Sequence, residues 1–292
     1  MILNYIKLLR LPQWIKNFFV FVPLLFSRHL FYQQDFLLTL FGFILFCFTS
    51  SIVYVINDII DVEADKAHPV KKLRPLPSGK ISKNSAVILA FILAFAVGFS
   101  LFYVNKFFLW CILSYFILNV FYSFSFKHIV LLDIFSIAAG FMLRVVAGAL
   151  IINVEISSWL ILTTMFVSLF LAIMKRQSEL KLFQKAESID TRKVLASYSL
   201  DFTNQMATIA ASGVIICYAL YTVSSRTVSI FRTENLIYTT PFVVFGIFRY
   251  MYLVYMNQKG ENTTEIMITD VPMIINVLLY ILSTISIVYN FF

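Results

Sequence analysis

Residues 36–65 read FLLTLFGFILFCFTSSIVYVINDIIDVEAD, an uncharged stretch that runs directly into a group of acids. About 20 mainly apolar residues are enough for a helix to cross the hydrocarbon part of a bilayer. We therefore predict a membrane-spanning helix over residues 36–57, with Asn57 and the acids that follow it at the membrane surface. This stretch predicts a membrane protein with an acidic site at one end of a span.

The whole chain has the composition of a protein embedded in a bilayer. Of its 292 residues, 60% are hydrophobic and 13% are charged, and its mean hydropathy is +0.87. A soluble domain carries about 25% charged residues, so this chain has too few charges to cover a water-facing surface. We predict an all-α bundle of about nine transmembrane helices, forming a single domain over residues 1–292. The predicted spans are 14–31, 36–57, 83–104, 107–126, 129–152, 157–175, 203–225, 237–256 and 271–292; a different division of 107–152 would give eight.

The lysines and arginines of the connections predict the orientation, since cytosolic loops carry an excess of these residues. With the N-terminus in the cytosol, most of the 23 fall on the cytosolic side. The outer segments hold only Arg28, Lys106, Arg226 and Arg232. Two cytosolic connections are long, about 58–82 and 176–202, and we expect the active site there. The net charge of +8 is explained by this asymmetry, so no nucleic-acid partner is predicted.

Asp58, Asp61 and Asp65 follow one another at about one-turn spacing. On a continuing helix, at about 100° per residue, they fall within roughly 60° of one another, whereas Glu63 points to a different side. Three carboxylates on one face repel each other unless a cation neutralises them, and such hard oxygen ligands suit Mg²⁺, with Mn²⁺ as the alternative. Several basic residues follow: Lys66, Lys71, Lys72 and Arg74. Together these predict a site for a phosphate or diphosphate; a solvated loop that only sets the topology is the simpler alternative.

The order N-D-x-x-D-x-x-x-D at 57–65, followed by R-P-L-P-S-G at 74–79, resembles the first signature of the UbiA superfamily of intramembrane prenyltransferases. The resemblance covers nearly the whole chain in helix count, loop placement and order. It implies a UbiA-like bundle around a central cavity, with a Mg²⁺-diphosphate bound at the cytosolic mouth. Aromatic prenyltransferases of this family have a second motif, D-x-x-x-D, after span 6, where this chain has Lys175, Arg176 and Glu179.

Three further segments resemble the decaprenyl-phosphate phosphoribosyltransferase branch of the superfamily. They are LRLPQWIKNFFVFVPLLFS at 9–27, K-R-x-x-E-L at 175–180 and R-K-V-L-x-x-Y-S at 192–199. This resemblance implies transfer of 5-phosphoribose from phosphoribosyl diphosphate to a polyprenyl phosphate, with release of diphosphate. Because this donor carries an additional 5-phosphate, it explains why cations replace the second acid pair.

Under this hypothesis, Asp58, Asp61 and Asn57 are the catalytic candidates, and Asp65 completes the metal ligands. Bond breaking at C1 of the ribose would develop oxocarbenium character, and attack by the lipid phosphate would invert C1. No general base is needed, because a phosphate is already anionic. The candidate substrate-binding residues are Lys16, Asn17, Lys71, Arg74, Tyr122, Lys127, Asp133, Arg144, Lys175, Arg176, Glu179 and Tyr198. Of these, Asp133 and Arg144 are separated by about 16 Å along one predicted helix, so they are not expected to pair.

Two other functions stay open. An aromatic prenyltransferase that uses polyprenyl diphosphate would share the architecture, although it favours a second acid pair. A transporter is the more distant alternative, because its polar residues would lie near mid-membrane at broken helices. We expect a multi-pass plasma-membrane protein with a cytosolic N-terminus and cytosolic active-site loops. Whether identical chains form a homo-oligomer is left open.

Overall fold

The computed structural model describes residues 2–67, 71–185, 193–256 and 269–290, which form helices joined by turns, with no strand among them. The helices are α1 (Ile2–Leu9), α2 (Leu11–Phe26), α3 (Gln33–Ile60), α4 (Val62–Ala67), α5 (Lys83–Ser100), α6 (Lys106–Phe124), α7 (Leu132–Ile151), α8 (Ser158–Lys185), α9 (Leu200–Val223), α10 (Ser225–Phe231), α11 (Thr240–Met256) and α12 (Val271–Val288). The predicted all-α fold is confirmed.

Eight of these helices are long and apolar enough to cross a membrane: α3, α5, α6, α7, α8, α9, α11 and α12, counting the 3-10 turns that extend α5 and α11. They correspond to eight of the nine predicted spans. The outer face of α5 exposes large apolar side chains such as Phe91 (73%) and Phe95 (71%). A continuous surface of this kind suits contact with lipid rather than water.

The first predicted span, 14–31, is the shorter helix α2. Its first part, Leu11–Phe21, is a 3-10 helix, which rises about 2.0 Å per residue instead of about 1.5 Å. This segment packs against α7 so closely that a Cβ atom at Gly148 would lie 2.1 Å from the carbonyl oxygen of Val20. Glycine therefore permits the two backbones to touch. Asn17 lies at this contact, between α3 and α7, and its side chain forms hydrogen bonds with side chains of both helices.

Helix α7 lies between two apolar cores. One core joins Phe46 on α3 and Phe108 on α6 to Ala147 on α7. The other joins Ile134, near the start of α7, to Phe170 on α8 and to apolar residues of α9, α11 and α12. Because α7 contributes to both cores, polar side chains on its remaining face are held between the two groups of helices.

Two turns bring predicted site residues together at one end of the bundle. After α4 the chain folds back, and Arg74 lies 3.4 Å from Asp58; it turns again at Gly79, whose φ of +72° suits glycine. Before α9, the hydroxyl of Tyr198 accepts a hydrogen bond from the backbone N–H of Leu131 at 2.8 Å. Residues 68–70 and 186–192 of the two predicted site loops lie outside the described residues.

Candidate functional site

Four polar residues at the end of α3 and in α4 form what we call the acidic cluster: Asn57, Asp58, Asp61 and Asp65. Asp61 lies at the junction of the two helices, with φ −87° and ψ 6°. Helical hydrogen bonds nevertheless continue through it: its N–H donates to the carbonyl of Asn57 at 2.9 Å, and the N–H of Asp65 donates to its carbonyl at 2.8 Å. The one-turn spacing predicted from the sequence is therefore preserved across the junction.

Asp58 and Asp65 share one arginine. The Nη1 atom of Arg74 lies 2.6 Å from Asp65 Oδ2 and 3.4 Å from Asp58 Oδ1. A second guanidinium, that of Arg10, also contacts Asp58 and stacks on the ring of Tyr54 at 5.0 Å. The two acid side chains are 3% and 5% exposed, whereas Arg10 and Arg74 are 24% and 31% exposed. The cations therefore lie on the solvent side of the carboxylates.

Asp61 has different partners. The Nζ atom of Lys127, in the turn between α6 and α7, lies 3.0 Å from Asp61 Oδ1, and Asn57 Nδ2 donates to Asp61 Oδ2 at 3.0 Å. The prediction placed the three carboxylates on one face, but the structure pairs Asp61 with a separate cation. The change of backbone geometry at Asp61, where α3 ends, accompanies this divergence.

The acidic cluster supplies carboxylate and amide oxygens, the donors that Mg²⁺ prefers. In the part of the chain that the structure describes, no three His, Cys, Asp or Glu side chains are close enough to hold a metal ion. Instead, Arg74 Nη1 lies between Asp58 and Asp65, where a cation bound by both would lie. By the chemistry of its donors the acidic cluster therefore suits a divalent cation, and in this structure the guanidinium of Arg74 occupies the position between Asp58 and Asp65.

A second group of charges, here called the buried ion-pair cluster, consists of Tyr122, Asp133, Arg176, Glu179 and Tyr198. The fully buried guanidinium of Arg176 contacts both Asp133 and Glu179 and donates to the hydroxyl of Tyr122 at 3.0 Å. Tyr198 donates to Asp133 Oδ1 at 2.7 Å. Burial raises the pKa of Tyr198, and the hydrogen bond to Asp133 acts in the same direction, so the hydroxyl keeps its proton at neutral pH. The cluster ties the start of α7 to α8 and to the segment before α9.

A cavity of about 150 Å³ lies among α2, α3, α6, α7 and α8. It adjoins both groups of charges, since Tyr54 contacts Arg10 of the acidic side and Tyr122 binds Arg176. Its polar lining residues are Lys16, Tyr54, Tyr115, Asn119, Tyr122, Ser136, Arg144 and Lys175. The cavity is therefore lined by several cations and hydroxyl groups within an otherwise apolar bundle.

Arg144 is 5% exposed, and its hydrogen bonds go to neutral acceptors. Its Nε donates to Asn17 Oδ1 at 2.7 Å, its Nη1 to the carbonyl of Gly140 at 2.8 Å, and its Nη2 to the hydroxyl of Tyr115 at 2.8 Å. Asn17 in turn donates to Ser50 Oγ at 3.2 Å. Arg144 thus has no acidic partner among the described residues, and, as predicted, it does not pair with Asp133.

The predicted substrate-binding residues form three groups, with Asn17 and Lys71 outside them. Lys16, Tyr122, Arg144 and Lys175 line the cavity. Arg74 and Lys127 neutralise the acidic cluster, while Asp133, Arg176, Glu179 and Tyr198, with Tyr122, form the buried ion-pair cluster. Asn17 is buried and holds Arg144, and Lys71 lies half-buried in the short turn Lys71–Leu73. Contact of any of them with substrate stays a prediction.

Sequence reasoning missed five polar residues that contribute to this region: Arg10, Tyr54, Tyr115, Asn119 and Ser136. A signal for three of them is present in the spans. Tyr115, Asn119 and Tyr122 recur at helical spacing on α6, and Ser136, Gly140 and Arg144 do so on α7. A stripe of polar or small residues along an apolar helix predicts a face turned toward an internal cavity.

Known proteins resemble this chain in sequence and in structure. The sequence model of the UbiA prenyltransferase family matches residues 18–269. A decaprenyl-phosphate phosphoribosyltransferase from Corynebacterium glutamicum is 36% identical over 220 residues, 74% of this chain and 66% of that protein. One from Mycolicibacterium smegmatis is 33% identical over 223 residues, 75% of this chain and 70% of that protein. The chain thus matches about two thirds of the length of these relatives.

The same architecture is found in a solved structure of a UbiA homolog from Archaeoglobus fulgidus bound to GPP and Mg²⁺. Its TM-score is 0.72, and the match covers 98% of this chain and 99% of that chain at 18% sequence identity. At this identity the likeness shows a shared fold.

Proposed function

Because this chain belongs to the UbiA prenyltransferase family and to its decaprenyl-phosphate phosphoribosyltransferase branch, we propose that it transfers 5-phosphoribose from phosphoribosyl diphosphate to a polyprenyl phosphate and releases diphosphate. Family membership makes the chain a membrane-embedded transferase. The identities of donor and acceptor are the proposal, and the names of the relatives support both.

The charge at the end of α8 is the observation that supports this donor most. Glu179 is bound by Arg176, and Lys175 lies 3.9 Å from the other oxygen of Glu179. The family's aromatic prenyltransferases are expected to carry a second acid pair at this position. Here Lys175 faces the cavity instead. Phosphoribosyl diphosphate carries three phosphoryl groups, and cations next to the cavity suit their negative charge.

The acidic cluster is the proposed site for the diphosphate. Asp58, Asp61 and Asp65 would hold Mg²⁺, which when bound supplies charge neutralisation for the diphosphate. In this structure Arg74 and Lys127 neutralise these acids. With these acids held by a metal, Arg74 and Lys127 would be available to bind phosphate oxygens.

The proposed reaction breaks the bond between C1 of the ribose and the diphosphate oxygen, and a phosphate oxygen of the lipid forms the new bond from the opposite face. Arg74 and Lys127 stabilise the negative charge that develops on the leaving diphosphate. Asn57 orients Asp61 through their 3.0 Å hydrogen bond. The lipid phosphate attacks as an anion, so the mechanism needs no general base, and C1 is inverted.

The multi-pass architecture places the protein in a membrane. We propose the plasma membrane, with the N-terminus and the two site loops in the cytosol, because most lysines and arginines fall on that side. This orientation exposes the acidic cluster to a soluble sugar diphosphate. The polyprenyl phosphate would approach from the bilayer.

Transfer from a labelled donor tests the proposal. Membranes that contain the chain, and matched membranes that lack it, receive polyprenyl phosphate and phosphoribosyl diphosphate labelled in the ribose. Label should move into the lipid fraction only where the chain is present. If the label stays in the water phase while polyprenyl diphosphate prenylates an aromatic acid, the donor assignment is wrong and the chain is an aromatic prenyltransferase.

A further inference from the structure

Positively charged side chains line the cavity, in the interior of the bundle, where burying a charge costs free energy. Lys16, Arg144 and Lys175 line it, and among the described residues only Lys175 has an acidic neighbour, Glu179 at 3.9 Å. A cation inside a membrane bundle needs a compensating anion or strong hydrogen bonds. Arg144 has three hydrogen bonds, all to neutral groups. The cavity is therefore suited to an anion that the chain itself does not provide.

Arg144 lies deeper in the bundle than the acidic cluster. Its Nε atom binds Asn17, whose amide donates to Ser50 on α3. Ser50 precedes Asp58 by eight residues on that helix, which corresponds to roughly 12 Å along the axis. Tyr54 lies midway between these two residues and lines the cavity. The acidic cluster is the proposed site for the diphosphate, and Arg144 is a cation. A ligand that extends from one to the other therefore carries an anionic group at each end.

The size of the cavity limits what can fill it. A volume of about 150 Å³ holds on the order of ten water-sized groups. That is enough for a sugar ring with one phosphate, and it is far too small for a polyprenyl chain. Asn119 and Ser136 line the same space and offer hydrogen-bonding groups for sugar hydroxyls.

We propose that this cavity is the subsite for the phosphoribosyl end of the donor, and that Arg144 binds its 5-phosphate. The inference rests on the proposed function, because it takes the diphosphate to lie at the acidic cluster. With the two anionic ends held at different depths, the ribose lies between them and C1 faces the acidic cluster. Arg144 then selects a 5-phosphorylated sugar over an unphosphorylated one.

Binding of the two halves of the donor tests this assignment. Ribose 5-phosphate and inorganic diphosphate are titrated separately, in the presence of Mg²⁺, into purified chain in detergent. Arg144→Gln should weaken binding of ribose 5-phosphate about tenfold or more, the loss expected for one charged hydrogen-bonded contact. Binding of diphosphate should change less than about twofold, and this retained binding shows that the variant is folded.

Two further variants provide matched comparisons. Arg144→Lys keeps the charge but loses the planar fork of donors, so it should retain more ribose 5-phosphate affinity than Arg144→Gln. Arg249→Gln removes a different arginine, one that pairs with Asp270 at 2.9 Å outside the cavity. This control should bind ribose 5-phosphate like the unmodified chain. An equal loss in Arg144→Gln and Arg249→Gln would overturn the assignment.

Transfer kinetics separate this inference from the proposed function. If Arg144→Gln raises the KM for phosphoribosyl diphosphate and leaves the KM for polyprenyl phosphate unchanged, the 5-phosphate assignment is supported. If only the KM for the lipid rises, the assignment is overturned and the cavity binds the lipid phosphate. If the unmodified chain transfers no phosphoribose yet binds ribose 5-phosphate through Arg144, the proposed function fails while the sugar-phosphate site stands.

Discussion

The acidic cluster and the buried ion-pair cluster contain similar groups in opposite environments. In the acidic cluster, Asp58 and Asp65 are buried but their cations, Arg10 and Arg74, are 24% and 31% exposed. Asp61 is 28% exposed, and its cation Lys127 is 8% exposed. In the buried ion-pair cluster the guanidinium of Arg176 and the carboxylate of Asp133 are both fully buried. Arg10 and Arg74 can therefore leave their acids when a ligand binds. Separating Arg176 from Asp133 would instead leave a buried charge without its partner.

This difference in exposure predicts different roles for the two regions. Breaking a buried ion pair leaves an uncompensated charge and is strongly destabilising. A partly exposed cation can instead be solvated by water when it separates from its acid. We therefore expect changes in the buried ion-pair cluster to affect stability first, and changes in the acidic cluster to affect transfer first. The following variants test this difference between the two regions.

Arg176→Gln should have the largest effect on stability. It leaves Asp133 and Glu179 without their shared cation, and loss of one partner of a buried pair costs about 3–5 kcal/mol. The midpoint of thermal unfolding in detergent should fall clearly. As a matched control, Arg226→Gln breaks the exposed pair with Glu155 and should cost at most about 1 kcal/mol. Equal unfolding midpoints for the two variants would contradict the assigned role of the buried pair.

Asp58→Asn and Asp61→Asn should have the largest effects on transfer. Each removes a charge from the proposed metal-diphosphate site, and loss of such electrostatic stabilisation costs about 100-fold or more in rate. The control is Glu63→Gln, because Glu63 lies between them and Asp65 in sequence but its side chain is 72% exposed and pairs with Lys66. That variant should transfer phosphoribose normally. An active Asp58→Asn or Asp61→Asn enzyme would remove the acidic cluster from the mechanism.

Arg74→Gln should have an intermediate effect. Arg74 contacts two acids of the cluster, and its proposed second role is to bind phosphate oxygens of the donor. Losing one charged hydrogen-bonding contact should raise the KM for phosphoribosyl diphosphate about tenfold. The KM for polyprenyl phosphate should stay the same. A rise in the lipid KM alone would place Arg74 on the acceptor side.

Tyr198→Phe should have the smallest effect. It removes the hydrogen bond to Asp133 and costs about 1–2 kcal/mol of stability, with transfer retained. Because folding raises the pKa of Tyr198, its contribution is complete below the unfolded pKa of about 10 and declines only as the pH rises above that value. Unfolding midpoints of both chains near neutral pH and at high pH measure this. A difference that already disappears near neutral pH would contradict a protonated donor.

The sequence was sufficient for the parts of the molecule that depend on local pattern. Apolar runs predicted nine spans, of which eight are long helices, and the spacing of Asp58, Asp61 and Asp65 predicted a set of acids on consecutive turns. The first span, 14–31, was predicted as a membrane-spanning helix, but Leu11–Phe21 is a 3-10 helix. Its close contact with Gly148 involves a helix that is distant in the sequence, so residues 14–31 alone do not reveal it.

Contacts between distant segments were beyond the sequence. Arg10 was counted among the cytosolic charges, yet it reaches Asp58 because α1 folds back beside the end of α3. Asp133 and Arg176 were predicted separately as substrate-binding residues, and the packing of α7 against α8 makes them partners of each other. Only the fold decides which cation meets which acid, because the two long connections, 58–82 and 176–202, each offer several of both.

The most direct test of the central claim is to measure both products of the reaction in the same sample. Purified chain in proteoliposomes receives polyprenyl phosphate, Mg²⁺ and phosphoribosyl diphosphate labelled in the ribose. We predict that diphosphate is released in the same amount as label enters the lipid, and that both cease in Asp58→Asn. Diphosphate release without labelled lipid, or the absence of both with the unmodified chain, would contradict the assignment of phosphoribosyl transfer.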